Sequence, residues 1–408
     1  MTLEQILAIP EVERKIYYLK KGRKTKQPNA HALYNDWNPN KHEIVIDEEK
    51  YPKIKITTQP EKRITDPTTG KEYIEPAVKK EVDPNRIALP IEQDIVNIQT
   101  AFTVGTEPVL DCQPDQSEES LLSALKQVFK KNKLKYQNKK VVRAWLAEQE
   151  VAEYWYVVKD DGFWDKLKRK ISGIFGKSKP EYRLKSAIWS PFRGDKLYPF
   201  FNDQGDLVAL SREYKKKDLN DVEITCFMTI TKDMVYQWEL TNNWTDKGSF
   251  AHCFKKMPVI YMYRPEAYCE KIKSLRVRLE KLLSSYADCI DYHFFPILML
   301  FGNVENFSGE FKNRVVELTG QGANAQYLTW SQVPDTVKFE VETLLSQIYG
   351  LTNTPRISFD SLKGTGNAVS GVSFDYVFMS THLNVENLNE TVGEFMQRRV
   401  NFLVSALG

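Results

Sequence analysis

Residues 266–294 read EAYCEKIKSLRVRLEKLLSSYADCIDYHF, and this stretch decides the fold. Apolar side chains recur in it every three or four residues, the spacing that places them on one face of an α-helix. They are Ile272, Leu275, Leu279, Leu282, Tyr286 and Ile290. At about 1.5 Å per residue this helix would be roughly 42 Å long, more than twice the mean helix of a globular protein. A rod of that length with an apolar face needs other elements to pack against.

Downstream of this helix, the sequence first turns strand-like. The apolar run FFPILMLF (294–301) is far shorter than the roughly 20 residues that cross a bilayer, so it indicates core or a contact between subunits. RVVEL (314–318) and AQYLTW (325–330) have the composition of short strands. We therefore expect a small β-containing excursion after the long helix.

Helical patterns return towards the end of the chain. A helix is predicted over 334–350, because it opens on a proline and acids and closes on Gly350. The stretch 351–371 is rich in Gly, Asn, Thr and Ser and predicts a loop. One very long helical pattern then runs over 372–408.

The first half of the chain mixes arms, helices and strands. Short alternating runs at 43–47 (EIVID) and 53–57 (KIKIT) predict an extended N-terminal arm with hairpin strands. The stretch 86–110 predicts a helix that stops at Gly105, and 121–147 predicts one or two more. Strand-like pieces at 151–158 and 183–234 complete a chain of the α+β class.

Two basic stretches leave alternatives open. Residues 121–147 carry eight Lys or Arg and no acid, which fits either a phosphate-facing patch or a solvated helix face. Residues 162–179 (GFWDKLKRKISGIFGKSK) are basic and amphipathic, so they could lie on a membrane surface or pack as an inserted helix. Liposome co-sedimentation, with Trp164→Ser and Phe175→Ser as variants, separates these two readings of 162–179.

Composition excludes several classes of protein. The net charge is only +3, so any attraction to nucleic acid must be local. Five cysteines without a CxxC fit a reducing compartment, and the acidic, amphipathic start lacks the layout of a secretory signal. The five histidines are isolated, and neither a GxSxG elbow nor a P-loop is present. The sequence therefore predicts no catalytic residue, no metal site and no cofactor.

The order of these elements, together with particular stretches, resembles the portal proteins of tailed bacteriophages, especially the siphophage type. The similar stretches are 258–302, which contains PVIYMYRP and the long helix, 341–378, which contains VETLLSQIYGLTNTPRISFDSLKGTGNAVSG, and 85–109. This resemblance covers the chain from about residue 85 to its end. It implies a portal fold with a mixed α/β wing, long stem helices, a small β-containing clip and a long helix after a tunnel loop.

The resemblance also implies a division of the chain. The parts would be an N-terminal arm (1–85), a wing (86–265), a stem helix (266–295), a clip (296–333), a second stem helix (334–350), a tunnel loop (351–371) and a long helix (372–408). Portal proteins commonly continue into more wing and a helical crown, and we expect this crown to be missing here. The arm matches nothing in the family pattern.

The expected function follows from the resemblance as well. Portal proteins form a ring, usually a dodecamer, at one vertex of the virion capsid and are assembled in the host cytoplasm. The ring is a head-to-tail connector that conducts double-stranded DNA without sequence specificity, during packaging and ejection. Partners would be the terminase large subunit, the head–tail adaptor, and the major capsid and scaffold proteins, with no membrane. Two rival functions remain. One is a nucleic-acid-processing enzyme, which would need a metal-binding acidic cluster, and the other is a peripheral membrane protein that uses the stretch 162–179.

Candidate site residues lie in two places. In the tunnel loop the candidates for contact with DNA are Asn353, Arg356, Lys363 and Asn367, each of which could instead face another subunit. On the basic face of the stem helix the candidate residues are Lys271, Lys273, Arg276, Arg278 and Lys281. A conduit must avoid gripping its cargo, since every phosphate contact adds to a salt-dependent affinity, so a few polar residues on a loop suit it better than a dense basic track.

Overall fold

The structure is a computed structural model. It describes residues 1–59, 62–65, 72–110, 115, 118–159, 182–217, 221–293, 297–307, 316–328, 334–356 and 371–408. Mixed helices and sheets confirm the α+β class. The chain divides into two compact units: the first holds Met1–Asn38, Pro90–Lys271 and Tyr349–Gly408, and the second holds Pro39–Leu89 and Ile272–Ile348.

Seven helices belong to the described part of the first unit. They are α1 (Leu3–Leu7), α2 (Val12–Lys21), α3 (Ala30–Trp37), α5 (Ile91–Val104), α6 (Glu119–Lys131), α7 (Leu134–Glu148) and α10 (Gly371–Leu407). The second unit holds α4 (Glu43–Ile46), α8 (Lys273–His293) and α9 (Pro334–Leu351), although the last residues of α9, from Tyr349 on, are assigned to the first unit. Short 3-10 turns occur at Pro39–Lys41, Pro191–Arg193 and Glu270–Ile272. The predicted helix before Gly105, the helix pair in 121–147 and the long final helix are confirmed.

Where the first unit is described, its strands form two antiparallel sheets. The larger is a meander with strand order β11-β10-β9-β8-β7, and the smaller has the order β12-β5-β6. Their bounds are β5 (Glu150–Lys159), β6 (Tyr182–Trp189), β7 (Lys196–Phe201), β8 (Leu207–Lys217), β9 (Glu223–Thr231), β10 (Met234–Leu240), β11 (Trp244–Ala251) and β12 (Val259–Tyr263). The predicted β-rich stretches at 151–158 and 183–234 therefore form strands where the structure describes them.

The period of two along β9 gives the larger sheet two apolar faces. Met228 and Ile230 point into a core shared with the smaller sheet, whereas Phe227 points to the opposite side. That opposite side is covered by α1 and α2, whose Ile6, Ile16 and Leu19 pack with Phe227 and Trp238. The residues of α1 and α2 are thus a packed layer of this unit and not part of an extended arm.

The final helix α10 packs on the smaller sheet and is held there by a buried ion pair. The Phe402 ring lies 6.3 Å from the Trp155 ring of β5. Arg399 is 2% exposed and donates from Nε and Nη2 to the two carboxylate oxygens of Glu153, at 2.7 and 3.2 Å. Its Nη1 donates to Oδ1 of Asn138 at 2.5 Å. A guanidinium buried this deeply is tolerated because it is paired in this bidentate way.

The described strands of the second unit form three two-stranded ladders. β1 (Ile54–Gln59) pairs with β4 (Val78–Val82), and β2 (Lys62–Thr65) pairs with β3 (Glu72–Glu75). β13 (Ile297–Phe307) pairs with β14 (Val316–Leu328), in a register that places Ile297 opposite Leu328. The predicted strands of the 296–333 excursion are therefore found.

Two local predictions are wrong. EIVID was expected to be a strand, yet Glu43–Ile46 is helix α4, which follows the 3-10 turn at Pro39–Lys41 and buries Ile44. The long helix was expected to start at Glu266, yet α8 begins at Lys273. The backbone N–H of Tyr268 donates to the carbonyl of Leu146 at 2.9 Å, which holds that residue outside the helix.

Candidate functional site

A buried polar network surrounds Gln99 of α5, at the end of α9. The side chain of Gln99 is fully buried, and its Nε2 donates to the carbonyls of Thr352 and Asn353, at 3.2 and 3.1 Å, and to Thr354 Oγ1 at 2.9 Å. Its Oε1 accepts from Nδ2 of Asn384 on α10 at 2.9 Å. One amide thus ties three successive residues after α9 to both α5 and α10. We call this set of contacts the Gln99 network.

Tyr268 closes the Gln99 network from a further side. Its hydroxyl donates to the carbonyl of Thr352 at 2.6 Å and accepts from Asn384 Nδ2 at 2.9 Å. Burial raises the pKa of Tyr268 to about 12, so the hydroxyl keeps its proton and remains a donor near neutral pH. Thr381 of α10 adds a hydrogen bond of 2.9 Å to the carbonyl of Asn353.

The backbone at Asn353 turns sharply and is held by these contacts. Its φ is +47°, in the left-handed region, which asparagine adopts more readily than most residues. The N–H groups of Asn353 and Thr354 donate to the carbonyls of Gly350 and Tyr349, which satisfies carbonyls at the end of α9. The backbone of residues 352–354 is therefore held by hydrogen bonds on several sides. The stretch between Arg356 and Gly371 lies outside the described residues.

A second polar cluster lies inside the other unit, around Glu280 of α8. Glu280 is 1% exposed and accepts from Nη1 of Arg276 at 3.0 Å through Oε2. Its Oε1 lies 2.6 Å from Nδ1 of His42 and accepts from the backbone N–H of Leu89 at 2.9 Å. This carboxylate therefore joins the α4 region and the segment before α5 to the long helix α8.

The segment before α5 runs along α8 through a regular set of hydrogen bonds. Alternate backbone N–H groups donate to side chains that are four residues apart on the helix. These bonds are Asn85 to Asp288 Oδ1 at 2.7 Å, Ile87 to Ser284 Oγ at 2.9 Å, and Leu89 to Glu280 Oε1 at 2.9 Å. We call this the 85–89 ladder. It satisfies backbone donors that are not part of any sheet.

Neither cluster has the composition of a metal site. Among the residues that the structure describes, no group of three or more His, Cys, Asp or Glu side chains could hold a metal ion. In the same residues, no helix is both long and apolar enough to cross a membrane. The basic stretch 162–179 lies outside the described residues.

The comparison with protein families decides the assignment. The model of a family described as phage portal protein, SPP1 Gp6-like, matches residues 40–408. The chain belongs to this phage portal family. The match includes residues 40–85, which were expected to lie outside the resemblance, and that part of the expectation is wrong. None of the curated proteins matches the sequence at a significant level. Phage portal proteins are structural, oligomeric components of the capsid vertex that serve genome packaging, and the tailed-phage resemblance seen in the sequence is confirmed.

Of the four residues predicted in the portal tunnel loop, two are described. Asn353 lies in the Gln99 network, where its carbonyl accepts two hydrogen bonds. Arg356 is exposed, just after that network. Lys363 and Asn367 lie outside the described residues. Contact of any of the four with DNA stays a prediction.

The five cations predicted on one face of the portal stem helix do not share one exposed face. Arg276 is 1% exposed and paired with Glu280, so it is not part of an exposed basic face, and this part of the prediction is corrected. Arg278 is exposed and pairs with Glu340 of α9 at 2.6 Å. Lys271 precedes the helix, 5.4 Å from the centre of the Tyr268 ring, and burial lowers its pKa, with a smaller contribution from Arg264. Lys273 is half-buried and Lys281 is exposed.

Sequence reasoning missed the two centres of these clusters. Gln99 follows Ile95 by four residues, so it lies in the buried stripe of α5, and a polar residue in such a stripe signals a buried hydrogen-bonded site. Glu280 follows Arg276 by four residues, the spacing of an ion pair on a helix. No local pattern points to Asn384 or His42, because their partners are distant in sequence.

Replacing Gln99 with alanine should loosen the turn after α9. The carbonyls of Thr352 and Asn353 and the amide of Asn384 would each lose one hydrogen bond and keep another, to Tyr268, Thr381 and Tyr268 respectively. Each lost bond costs about 0.5–1.5 kcal/mol. We expect a lower melting temperature and faster hydrogen exchange at the amides of Asn353 and Thr354. Gln93→Ala is the control, since Gln93 lies on the same helix and makes one hydrogen bond, to the carbonyl of Trp37. Equal exchange at Asn353 and Thr354 in both variants would contradict the role of the Gln99 network.

Proposed function

We propose that this chain assembles into a dodecameric ring at one capsid vertex and that double-stranded DNA passes through the ring during packaging and ejection. The portal family supports the role, and one observation of this structure carries the proposal further. The Gln99 network anchors the start of the stretch 351–371 to α5 and to α10, the helix that follows this stretch. A stretch that contacts moving DNA needs such an anchor, because forces on it would otherwise displace its base.

In this proposal, Arg356, Lys363 and Asn367 contact the DNA backbone from the stretch 351–371. Contacts of this kind are independent of sequence, since phosphates carry no base information. Their small number suits transport: each phosphate contact adds about 0.9 to the salt slope of affinity, and a ring multiplies each contact by its number of subunits. The carbonyl of Asn353 belongs to the Gln99 network, and its side chain remains a fourth candidate contact.

We further propose that the excursion 296–333 docks the terminase large subunit and later the head–tail adaptor. Its described backbone is the two-stranded pair β13–β14, which begins directly after α8 and ends before α9. An isolated two-stranded hairpin is only marginally stable in water. Cover from neighbouring subunits or a docked partner would supply the stability that the hairpin lacks by itself.

The mass and shape of the purified protein test the ring. Native mass spectrometry and negative-stain microscopy should give closed rings of about twelve subunits with a central hole, the cyclic closure that a head-to-tail interface allows. A chain that stays monomeric at high concentration, and that also fails to enter capsids when produced with capsid and scaffold proteins, would overturn the proposal.

A further inference from the structure

An unusually basic corner joins α6 and α7 in the first unit. Its members are Lys126, Lys130, Lys131, Lys133, Lys135, Lys139 and Lys140, of which all but the half-buried Lys139 are exposed. No acidic residue occurs between the start of this set and Arg143. The whole chain has a net charge of only +3. The positive charge of this corner is therefore a local excess, which acidic residues elsewhere in the chain offset. We call these seven residues the lysine corner.

The backbone beneath the lysine corner is firmly held. Lys133 joins the two helices with a φ of +54°, and Leu125 and Leu134 on either side of it are buried. Nδ2 of Asn132 donates to the carbonyl of Leu184 on β6 at 3.0 Å. Nε2 of Gln137 donates to Ser186 Oγ of the same strand at 2.7 Å. Hydrogen bonds to β6 therefore hold the backbone that carries the lysines in place.

The lysine corner lacks acidic partners among the residues that the structure describes. Within the described part of the chain, none of its seven ammonium groups forms an ion pair. The contrast is β8, where Lys215, Lys216 and Lys217 also follow one another. Each of those three is paired with an acid, Glu223, Glu239 and Asp221 respectively.

Stability alone does not favour this arrangement. Lys126 and Lys130, and likewise Lys135 and Lys139, are four apart on a helix, where like charges repel by about 0.2–0.5 kcal/mol per pair. Lys135 also lies in the first turn of α7, a turn without any acid, where the helix dipole disfavours a cation. An anion from outside the chain would offset both effects.

We propose that the lysine corner binds the phosphate backbone of double-stranded DNA. The choice of DNA over other polyanions rests on the proposed function, whereas the anion site itself rests on the charges. Ammonium groups act as point charges for phosphate and read no base, so this contact is independent of sequence. Tyr136, which is 63% exposed among the lysines, adds a hydroxyl that can donate to a phosphate oxygen. The corner uses none of the residues of the stretch 351–371, so it is a DNA contact additional to those proposed for that stretch.

Two triple variants of the full chain test this inference. Lys126→Gln/Lys130→Gln/Lys135→Gln removes three unpaired charges from the lysine corner. Lys215→Gln/Lys216→Gln/Lys217→Gln is the matched control, because it changes the net charge equally but removes lysines that are already paired. Binding of a short blunt DNA duplex is measured by fluorescence anisotropy at several salt concentrations. Oligomer mass and melting temperature are recorded for the same samples.

We expect the corner variant to bind the duplex about tenfold or more weakly at low salt, with a salt slope lower by up to about 2.7 if each lysine contacts one phosphate. The control should stay within about twofold of the unchanged protein. Equal binding by both variants, with oligomer mass and melting temperature unchanged, would overturn the lysine corner and leave the proposed ring untouched. Poly-glutamate serves as a second probe. If the unchanged protein bound poly-glutamate but not DNA, and the corner variant lost that binding, the proposal would be overturned in favour of an acidic protein partner.

Discussion

Replacing Arg399 with methionine should lower the free energy of unfolding of the first unit by about 3–5 kcal/mol. The guanidinium is the partner of both carboxylate oxygens of Glu153, which is fully buried, and of the Asn138 amide. Methionine fills much of the same volume but leaves a buried carboxylate without a counter-charge. Denaturant unfolding followed by tryptophan fluorescence measures the loss of stability. Trp155 of β5 reports on it, because its ring lies 6.3 Å from the ring of Phe402, which is on the same helix as Arg399.

The neighbouring arginine provides the control. Arg398→Met removes the same side chain one position earlier, where Arg398 is about half exposed and pairs with Glu394 on the surface. We expect a change below about 1 kcal/mol, the range for exposed ion pairs. Adding Glu153→Gln to Arg399→Met should recover part of the lost stability, because it removes the uncompensated charge. Similar losses in the two single variants would show that the buried pair is not special.

Replacing Glu280 with alanine should destabilise the second unit by a similar amount, about 3–5 kcal/mol. The buried Arg276 guanidinium would lose its carboxylate partner, and the ring of His42 and the N–H of Leu89 would lose an acceptor. Hydrogen exchange at the Leu89 amide should accelerate together with the fall in stability. Both quantities are measured on the full chain.

Glu340→Ala is the matched control for Glu280→Ala. Glu340 also pairs with an arginine of α8, Arg278, but that arginine is about half exposed. We expect a cost below about 1 kcal/mol and unchanged exchange at Leu89. If the Leu89 amide exchanged equally fast in both variants, Glu280 would not be the anchor of the 85–89 ladder.

Periodicity was enough to predict the long elements of this fold. α5, the α6–α7 pair and α10 have repeating apolar positions and clear ends, so local sequence determines them. The four-residue run at 43–46 is too short for its alternation to decide between strand and helix. Its helical form is set by contacts that include the one between His42 and Glu280, which are 238 positions apart in sequence. Tertiary contacts therefore override a weak local pattern here.

The candidate sites were harder to predict than the fold. The resemblance led to the stretch 351–371, and the structure adds the Gln99 network that anchors its start. Composition identified the charged residues of α8 but could not distinguish Arg276, which faces inward, from Lys281, which is exposed. Arg276 is buried because it pairs with Glu280, and Glu280 is in turn hydrogen-bonded to Leu89, a residue before α5. A contact between residues so distant in sequence cannot be read from the pattern of a single helix.

The 85–89 ladder also has a consequence for insertions and deletions. Four helical residues advance about 6 Å, so each residue of the segment advances about 3 Å, close to the rise of polyproline II. One residue added between Ile87 and Leu89 would turn the following N–H groups away from α8, because alternate groups face opposite sides. Any residue except proline, however, offers the same N–H. The segment can therefore change its side chains freely as far as the ladder is concerned, whereas its length and the acceptors on α8 are fixed.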